Sequence, residues 1–233
     1  MINGKKKAIT FSYDDGVTQD IRLIELLNKY GLNCTFKLNS DLLGLPGELV
    51  RDNVRVSHDK INPDDVKSVY DGHEVAAHTL MHPFLPEIKY DNVIVRQVEQ
   101  DRINLSELVG YEVVGMAYPG GGVNFNEHVA EVIKNNTGIK YARTTVPTFN
   151  FDLQEDLYVF KPTIHHHDHW EQLFELGQKF VELDPKEDQI FYIWGHAYEF
   201  DIDPAFWDKM EEFFKIISGK SDIFYGTNAE VLL

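Results

Sequence analysis

The chain has 233 residues and a formal net charge of −16, a length that suits one compact domain with a sizeable core. The charge argues against nucleic acid or an anionic membrane as a partner, because like charges repel. No apolar run approaches the roughly 20 residues of a membrane helix, and the basic start leads to Asp14 and Asp15 instead of a secretory signal's apolar core. We expect a cytoplasmic protein, and the sequence does not indicate its oligomeric state.

Strand-like and helix-like segments alternate along the chain. Strands are predicted over residues 8–13, 33–38, 73–77, 112–117, 140–144, 158–164, 190–194 and 222–225, and helices over residues 20–29, 92–108, 127–135, 170–183 and 205–217. The stretch 44–64 is predicted to be an insertion loop with its own short helix. Alternation of this kind is typical of parallel βα units. The strand count favours an α/β distorted barrel of about seven parallel strands, built by one domain over residues 1–233.

Two adjacent carboxylates, Asp14 and Asp15, end the first predicted strand and precede Gly16. Active sites of α/β barrels lie at the C-terminal ends of the strands. One carboxylate would face a metal ion and the other a substrate water. The competing interpretation is an ordinary acidic turn, because Asp-Gly is a common turn pair.

Two histidines, His78 and His82, follow the third predicted strand. On one helical turn, side chains four residues apart share a face, so both imidazoles would converge on one ion. Together with Asp15 they form a three-ligand site with open positions, which suits zinc but also cobalt, nickel, iron or manganese. His165 and His169 have the same spacing and form a rival site.

Two other strand ends carry residues suited to catalysis. His196 follows the apolar strand 190–194, where an imidazole is well placed as a general acid or merely caps the strand. Tyr118, Pro119 and Gly120 follow the strand 112–117. The glycine there either lets backbone approach a ligand or permits a tight turn.

These segments, in this order, resemble the polysaccharide deacetylases of carbohydrate esterase family 4, the NodB homology domain. Residues 12–16, Ser-Tyr-Asp-Asp-Gly, are similar to the family's Thr-Phe-Asp-Asp-Gly motif. Residues 72–83 are similar to its Gly-His-Glu and His-Thr-x-x-His-Pro motif, and residues 194–196 to its late Leu-x-His motif. The resemblance spans the chain and implies a distorted barrel.

The resemblance also implies the roles of individual residues. The implied base is Asp14, the implied acid is His196, and the implied ligands of one divalent ion are Asp15, His78 and His82. The family's third motif usually carries an arginine that pairs with the base, whereas this chain has Ala117 at that position. We expect Arg143 to replace that arginine.

The remaining candidate residues are expected to orient the catalytic groups or to contact substrate. Asp168 or Glu199 is expected to support His196 in place of the family's fourth motif. The other candidates are Tyr118, Pro119, Gly120, His165 and His167.

The implied function is metal-dependent removal of acetyl groups from an N-acetylated or O-acetylated sugar or oligosaccharide, a hydrolysis of carbon–nitrogen bonds other than peptide bonds in the N-acetyl case. A first alternative is a hydrolase of a small non-peptide amide, such as a formyl, carbamoyl or ureide group, on the same scaffold. A second is a noncatalytic carbohydrate-binding domain. Retention of Asp14, Asp15, His78, His82 and His196 argues against the second alternative.

Overall fold

A computed structural model describes residues 1–233. The strands are β1 (Lys7–Asp14), β2 (Cys34–Leu38), β3 (Glu48–Arg51), β4 (Val54–Ser57), β5 (Glu74–Ala77), β6 (Gly115–Ala117), β7 (Tyr141–Arg143), β8 (Ile164–His165), β9 (Gln189–His196) and β10 (Ile223–Tyr225). The helices are α1 (Asp20–Lys29), α2 (Val66–Val69), α3 (Asp91–Val95), α4 (Asp101–Val109), α5 (Glu127–Asn136), α6 (Trp170–Glu182), α7 (Ala205–Ile217) and α8 (Asn228–Leu232). None of these helices has the length and apolar character needed to cross a membrane.

Eight of the strands form one parallel sheet. Seven lie in the order β7-β6-β5-β2-β1-β9-β8, and β10 also pairs with β1. Strand β1 is fully buried, and its apolar residues alternate with the buried polar residues Thr10, Ser12 and Asp14. Its first half pairs with β10 and its second half with β2, while β9 pairs along its whole length. The sheet curls into a half-barrel, and the predicted distorted barrel is confirmed.

A polar cluster in the barrel interior joins residues from within β1, β2 and β9 to helix α8. The side chain of Asn228, the first residue of α8, contacts Lys37 Nζ at 2.9 Å, the Tyr192 hydroxyl at 2.7 Å and Thr10 Oγ1 at 2.8 Å. Burial lowers the pKa of Lys37 to about 7. The barrel interior therefore contains hydrogen-bonded polar side chains beneath the C-terminal ends of the strands.

The predicted strand 158–164 is wrong over most of its length. A 3₁₀ turn occupies Leu157–Val159, Phe160 makes a single bridge to Arg143, and only Ile164–His165 forms a strand. Pro162 lies between the two pairings and has no N–H to donate to a ladder. Phe160 therefore pairs with β7, and Thr163 and the residues after it pair with β9. This segment connects the two sides of the curled sheet.

The insertion after β2 contains a β-hairpin that the sequence analysis did not predict. Strands β3 and β4 pair antiparallel, and Asp52 and Asn53 at the turn have φ angles of 51° and 64°. Two consecutive left-handed residues are typical of a type I′ turn, whose twist matches a two-residue hairpin. The predicted short helix corresponds to a 3₁₀ turn at Pro63–Asp65 followed by α2.

Candidate active site

A cleft of about 460 Å³ opens at the C-terminal ends of the parallel strands. It is lined by Asp14, Asp15, Leu49, Arg51, His58, His78, His82, Tyr118, Gly120, Gly121, Gly122, Thr145, Pro147, His165, Asp168, His169, Trp194, His196 and Tyr198. Both carboxylates of the first strand end and the histidines of three other strand ends therefore meet here. This is the position that barrel topology predicts for a catalytic site.

The structure brings Asp15, His78 and His82 together. Asp15 Oδ1 lies 3.7 Å from Nε2 of His78 and 3.7 Å from Nε2 of His82. Ligands of a tetrahedral zinc ion at bond lengths of about 2.1 Å are separated by about 3.4 Å. The three donor atoms lie within 4.8 Å of one another, so two imidazoles and one carboxylate fit a divalent ion of this kind.

His78 presents one defined ring nitrogen to this site. Its Nδ1 lies 2.9 Å from the carbonyl oxygen of Ala117, which can only accept a hydrogen bond, so Nδ1 carries the proton and Nε2 is free. Burial lowers the pKa of His78 to about 4, which keeps the ring neutral. A neutral imidazole held by a carbonyl at its second nitrogen is the usual state of a histidine ligand.

The two histidines converge by a turn, so the predicted helical spacing is wrong. Residues 78–82 contain no helix, and Thr79 and His82 adopt left-handed φ angles of 68° and 58°. The ring centroids of His78 and His82 nevertheless lie 4.8 Å apart. Such backbone conformations are rare for a β-branched residue, and a spacing rule based on a regular helix does not anticipate them.

Groups from a long helix stabilise this turn. A π-helical turn at Arg96–Gln100 joins α3 to α4, and the carbonyl of Gln97 accepts the N–H of Leu80 at 2.9 Å. Asp101, the residue after the π-helical turn, accepts the N–H of His78 at 3.0 Å. Burial raises the pKa of Asp101 to about 7. Irregular π turns are frequent at functional sites, and here the turn places two acceptors on the backbone of the ligand-bearing segment.

Asp15 has two partners that the sequence analysis missed. His58 Nε2 lies 3.1 Å from Asp15 Oδ2, and Lys60 Nζ donates to the Asp15 carbonyl at 2.7 Å. Burial opposes ionisation of Asp15, but the hydrogen bond from His58 and the charge of Lys60 outweigh it and hold the pKa of Asp15 well below its usual value. Both residues come from the insertion. No spacing signal in the sequence connects them with Asp15.

Arg143 lies where it can orient Asp14. Its Nη2 donates to Asp14 Oδ2, and its guanidinium carbon lies 4.2 Å from the ring centroid of Trp194. The second oxygen of Asp14, Oδ1, is buried and has no hydrogen-bond partner. Asp14 is therefore held on one side by a buried cation and retains a free acceptor.

Glu199 supports His196, whereas Asp168 does not touch it. Glu199 Oε2 accepts the backbone N–H of His196 at 3.0 Å, and Oε1 lies 3.4 Å from His196 Nδ1. Burial alone would lower the pKa of His196, but Glu199 outweighs it and raises that pKa. Asp168 instead pairs with His165 Nδ1 at 3.1 Å and with Arg51 at 2.9 Å.

His165 forms the second histidine cluster with His196 and Glu199, and His169 is not part of it. His165 Nε2 lies 3.2 Å from Glu199 Oε2, and the ligand atoms of His165, His196 and Glu199 lie within 4.8 Å of one another. His169 packs its ring against Phe149 at 5.2 Å. The predicted pairing of His165 with His169 is therefore not formed.

The other predicted contact residues divide into two groups. Tyr118, Gly120, His165 and Asp168 line the cleft. Pro119 and His167 do not line it, and His167 Nε2 lies 2.7 Å from Asp52 at the tip of the hairpin. His167 is therefore directed to the hairpin and away from the metal ligands, contrary to the expectation that it contacts substrate.

The chain belongs to the polysaccharide deacetylase family, whose model matches residues 2–142. A putative polysaccharide deacetylase from Mycobacterium smegmatis is similar in structure, with a TM-score of 0.70, 13% identity, and coverage of 98% of this chain and 90% of that chain. A family 4 carbohydrate esterase from Streptomyces lividans in complex with acetate has a TM-score of 0.57 and 13% identity, with coverage of 96% and 92%. No curated protein sequence matches the chain.

One structural neighbour is a pseudoenzyme. A family 4 pseudoenzyme from Bacillus anthracis has a TM-score of 0.57 and 15% identity, with coverage of 98% of this chain and 66% of that chain. The chain spans 55% of the length of a Streptococcus pyogenes deacetylase that it also matches. At these identities the similarity establishes the fold, and the activity has to be argued from the site.

Proposed function

We propose that the protein is a metal-dependent hydrolase that removes an acetyl group from an acetylated sugar or oligosaccharide. The family membership supports deacetylation, and the metal dependence rests on the fit of Asp15, His78 and His82 to one ion. The observation that carries the proposal is the pairing of β1 with β9, in which Asp14 and His196 are register partners at the cleft. A base and an acid thus flank the ligand set.

A divalent ion, with zinc as our first choice and cobalt, nickel, iron or manganese as alternatives, supplies Lewis-acid chemistry at such a site, because it lowers the pKa of water and polarises a carbonyl. The residues of the chain carry the proton transfers. Asp14 accepts the proton of the attacking water at its unpartnered Oδ1, while Arg143 holds Oδ2. The carbon–nitrogen or carbon–oxygen bond of the tetrahedral intermediate then breaks.

His196 donates a proton to the leaving amine or alcohol. Glu199 raises the pKa of His196, so a larger fraction of the ring is protonated at neutral pH. The Tyr118 N–H already donates to the Arg143 carbonyl at 3.0 Å, and Pro119 has no N–H. Backbone support for the oxyanion therefore comes from the glycines 120–122, which line the cleft.

The proposal is tested with a panel of N-acetylated chito-oligosaccharides, O-acetylated xylo-oligosaccharides and small amides bearing formyl, carbamoyl or ureide groups. We expect acetate release from an acetylated sugar, loss of that activity with a chelator, and recovery when zinc or cobalt is returned. Turnover of a small amide alone would establish the alternative hydrolase. Sugar binding without turnover by metal-loaded protein would establish a noncatalytic domain.

A matched variant separates catalysis from metal binding. Asp14→Asn keeps the side-chain shape and leaves Asp15, His78 and His82 in place, so the metal content should be unchanged. Turnover should fall by about 10²–10⁴-fold, the usual contribution of a general base. Metal loss in this variant would show that Asp14 is a ligand.

A further inference from the structure

The β3–β4 hairpin is tied to the barrel at its base. The residues after β4 bond to the loop after β1, because the Asp59 carbonyl accepts the N–H of Thr18 and the Gly16 carbonyl accepts the N–H of Ile61, both at 2.9 Å. The side-chain amide of Gln19 also donates to the Ser57 carbonyl at 3.0 Å. The base of the hairpin is thus fixed beside Asp15.

The tip of the hairpin is tied to the opposite side of the cleft. Arg51 Nη2 donates to Asp168 Oδ1 at 2.9 Å, and Asp52 Oδ2 accepts from His167 Nε2 at 2.7 Å. Asp168 and His167 belong to the loop after β8. Leu49 and Arg51 on the underside of the hairpin line the cleft. The hairpin therefore reaches from the loop after β1 to the loop after β8 and forms one wall of the cleft.

We propose that this wall restricts the enzyme to the end of an acetylated saccharide or to a single acetylated unit, and excludes internal residues of a polymer. The inference rests on the proposed function. A polymer bound through its middle must leave the site in two directions, whereas a chain end leaves in one. The hairpin blocks one direction, and the cleft volume of about 460 Å³ lies in the range of pockets for small ligands.

The test uses end-labelled N-acetylated chitohexaose and chitobiose with the metal-loaded full chain. Mass spectrometry of the labelled products locates each deacetylated residue. For the wild-type protein we expect deacetylation only at a terminal residue of the hexamer, and a kcat/KM for the dimer at least equal to that for the hexamer.

The double variant Arg51→Ala with Asp52→Ala removes the contacts of the hairpin tip with Asp168 and His167, and also the 3.5 Å contact of Arg51 with Glu199. We expect deacetylation at internal residues, absent in the wild type, to reach about a tenth of that at the terminal residue or more, because specificity is a ratio of two competing reactions. The matched control is Arg55→Ala, which removes an ion pair with Glu48 on the outer face of the same hairpin. That control should leave the product pattern unchanged.

A shortened hairpin gives an independent measurement. The N–H of His58 donates to the Gly47 carbonyl at 2.8 Å, so two glycines can replace residues 48–57 and rejoin these neighbouring positions. If this variant melts cooperatively and deacetylates internal residues, the inference is supported. Internal deacetylation by the wild-type protein would overturn the inference and leave the proposed function standing. Absence of acetate release from every acetylated sugar would overturn the proposed function itself.

Discussion

Two clusters of similar composition lie at the cleft, each with two histidines and one carboxylate whose ligand atoms are within 4.8 Å of one another. The first cluster is Asp15, His78 and His82, and the second is His165, His196 and Glu199. Composition and spacing do not distinguish them as metal sites. Their electrostatic surroundings do, and the difference indicates which cluster suits a metal ion and which suits a proton.

In the first cluster burial lowers the pKa of His78 to about 4, so the Nε2 lone pair is available. In the second cluster burial alone would lower the pKa of His165, but Glu199 and Asp168 outweigh it and raise the pKa to about 9. A protonated ring has no lone pair for an ion. Glu199 also lies 3.5 Å from the Arg51 guanidinium, which adds positive charge beside the second cluster. We therefore expect metal at the first cluster and protons at the second.

The largest expected effect tests this division directly. His78→Ala removes a ligand, so it should abolish metal binding and lower turnover by at least about 10³-fold, because the ion contributes several kcal/mol of transition-state stabilisation. His165→Ala is the matched variant in the second cluster and should retain the metal. Metal content by atomic spectroscopy decides between them, and equal losses in both variants would contradict the division.

An intermediate effect is expected from substitution of Arg143, which donates a hydrogen bond to Asp14 beside the first cluster. Arg143→Ala removes the group that orients the base, so we expect kcat to fall about 10²-fold while metal content stays constant. Arg143→Lys should recover only part of this loss, because an ammonium group has neither the planar fork nor the stacking on Trp194. Steady-state kinetics of metal-loaded protein test both expectations. Full activity in the alanine variant would show that Asp14 needs no cationic partner.

A smaller effect is expected at Glu199, in the second cluster. His196 acts as an acid only when protonated, and Glu199 raises its pKa. Glu199→Gln should therefore move the alkaline limb of the kcat/KM profile to lower pH and reduce activity on that limb, with little change at acidic pH. An unchanged alkaline limb would show that His196 is not the acid, or that Glu199 does not control it.

The strand ends were predictable from the sequence, and the contacts between distant segments were not. Asp14 and His196 follow apolar strands, and parallel topology requires such ends to meet at one edge of the sheet. Arg143 also lies at a strand end, so it too was expected at this edge of the sheet. Its contact with Asp14 depends on the curl of the sheet, which a strand count does not specify.

No sequence pattern indicated the contacts between the β3–β4 hairpin and the barrel. His58, Lys60 and Arg51 lie in a stretch that was interpreted as an irregular insertion, although Asp52-Asn53 between alternating apolar residues is a usable hairpin signal. Even a correct hairpin assignment would not place His58 on Asp15, because that contact depends on how the insertion packs over β1. Local patterns predict elements well and long-range packing of loops poorly.

The last expected effect concerns stability instead of turnover, and it tests the charge state of the second cluster. The pKa of His165 is raised in the folded protein to about 9, above the usual value of 6.5 that holds when unfolded. The resulting stabilisation is fully present below pH of about 6.5 and is lost as the pH rises to about 9, which amounts to about 3 kcal/mol. His165→Gln should lack this component when the free energy of unfolding by urea is measured at both pH values. The control is His128→Gln, which changes an exposed histidine that pairs with Asp91. Between the two pH values this variant should lose as much stability as the wild-type protein does. An identical pH dependence in His165→Gln and wild type would mean that folding does not raise the pKa of His165, so that its ring is mostly neutral above pH of about 6.5 and the charge difference between the two clusters is absent.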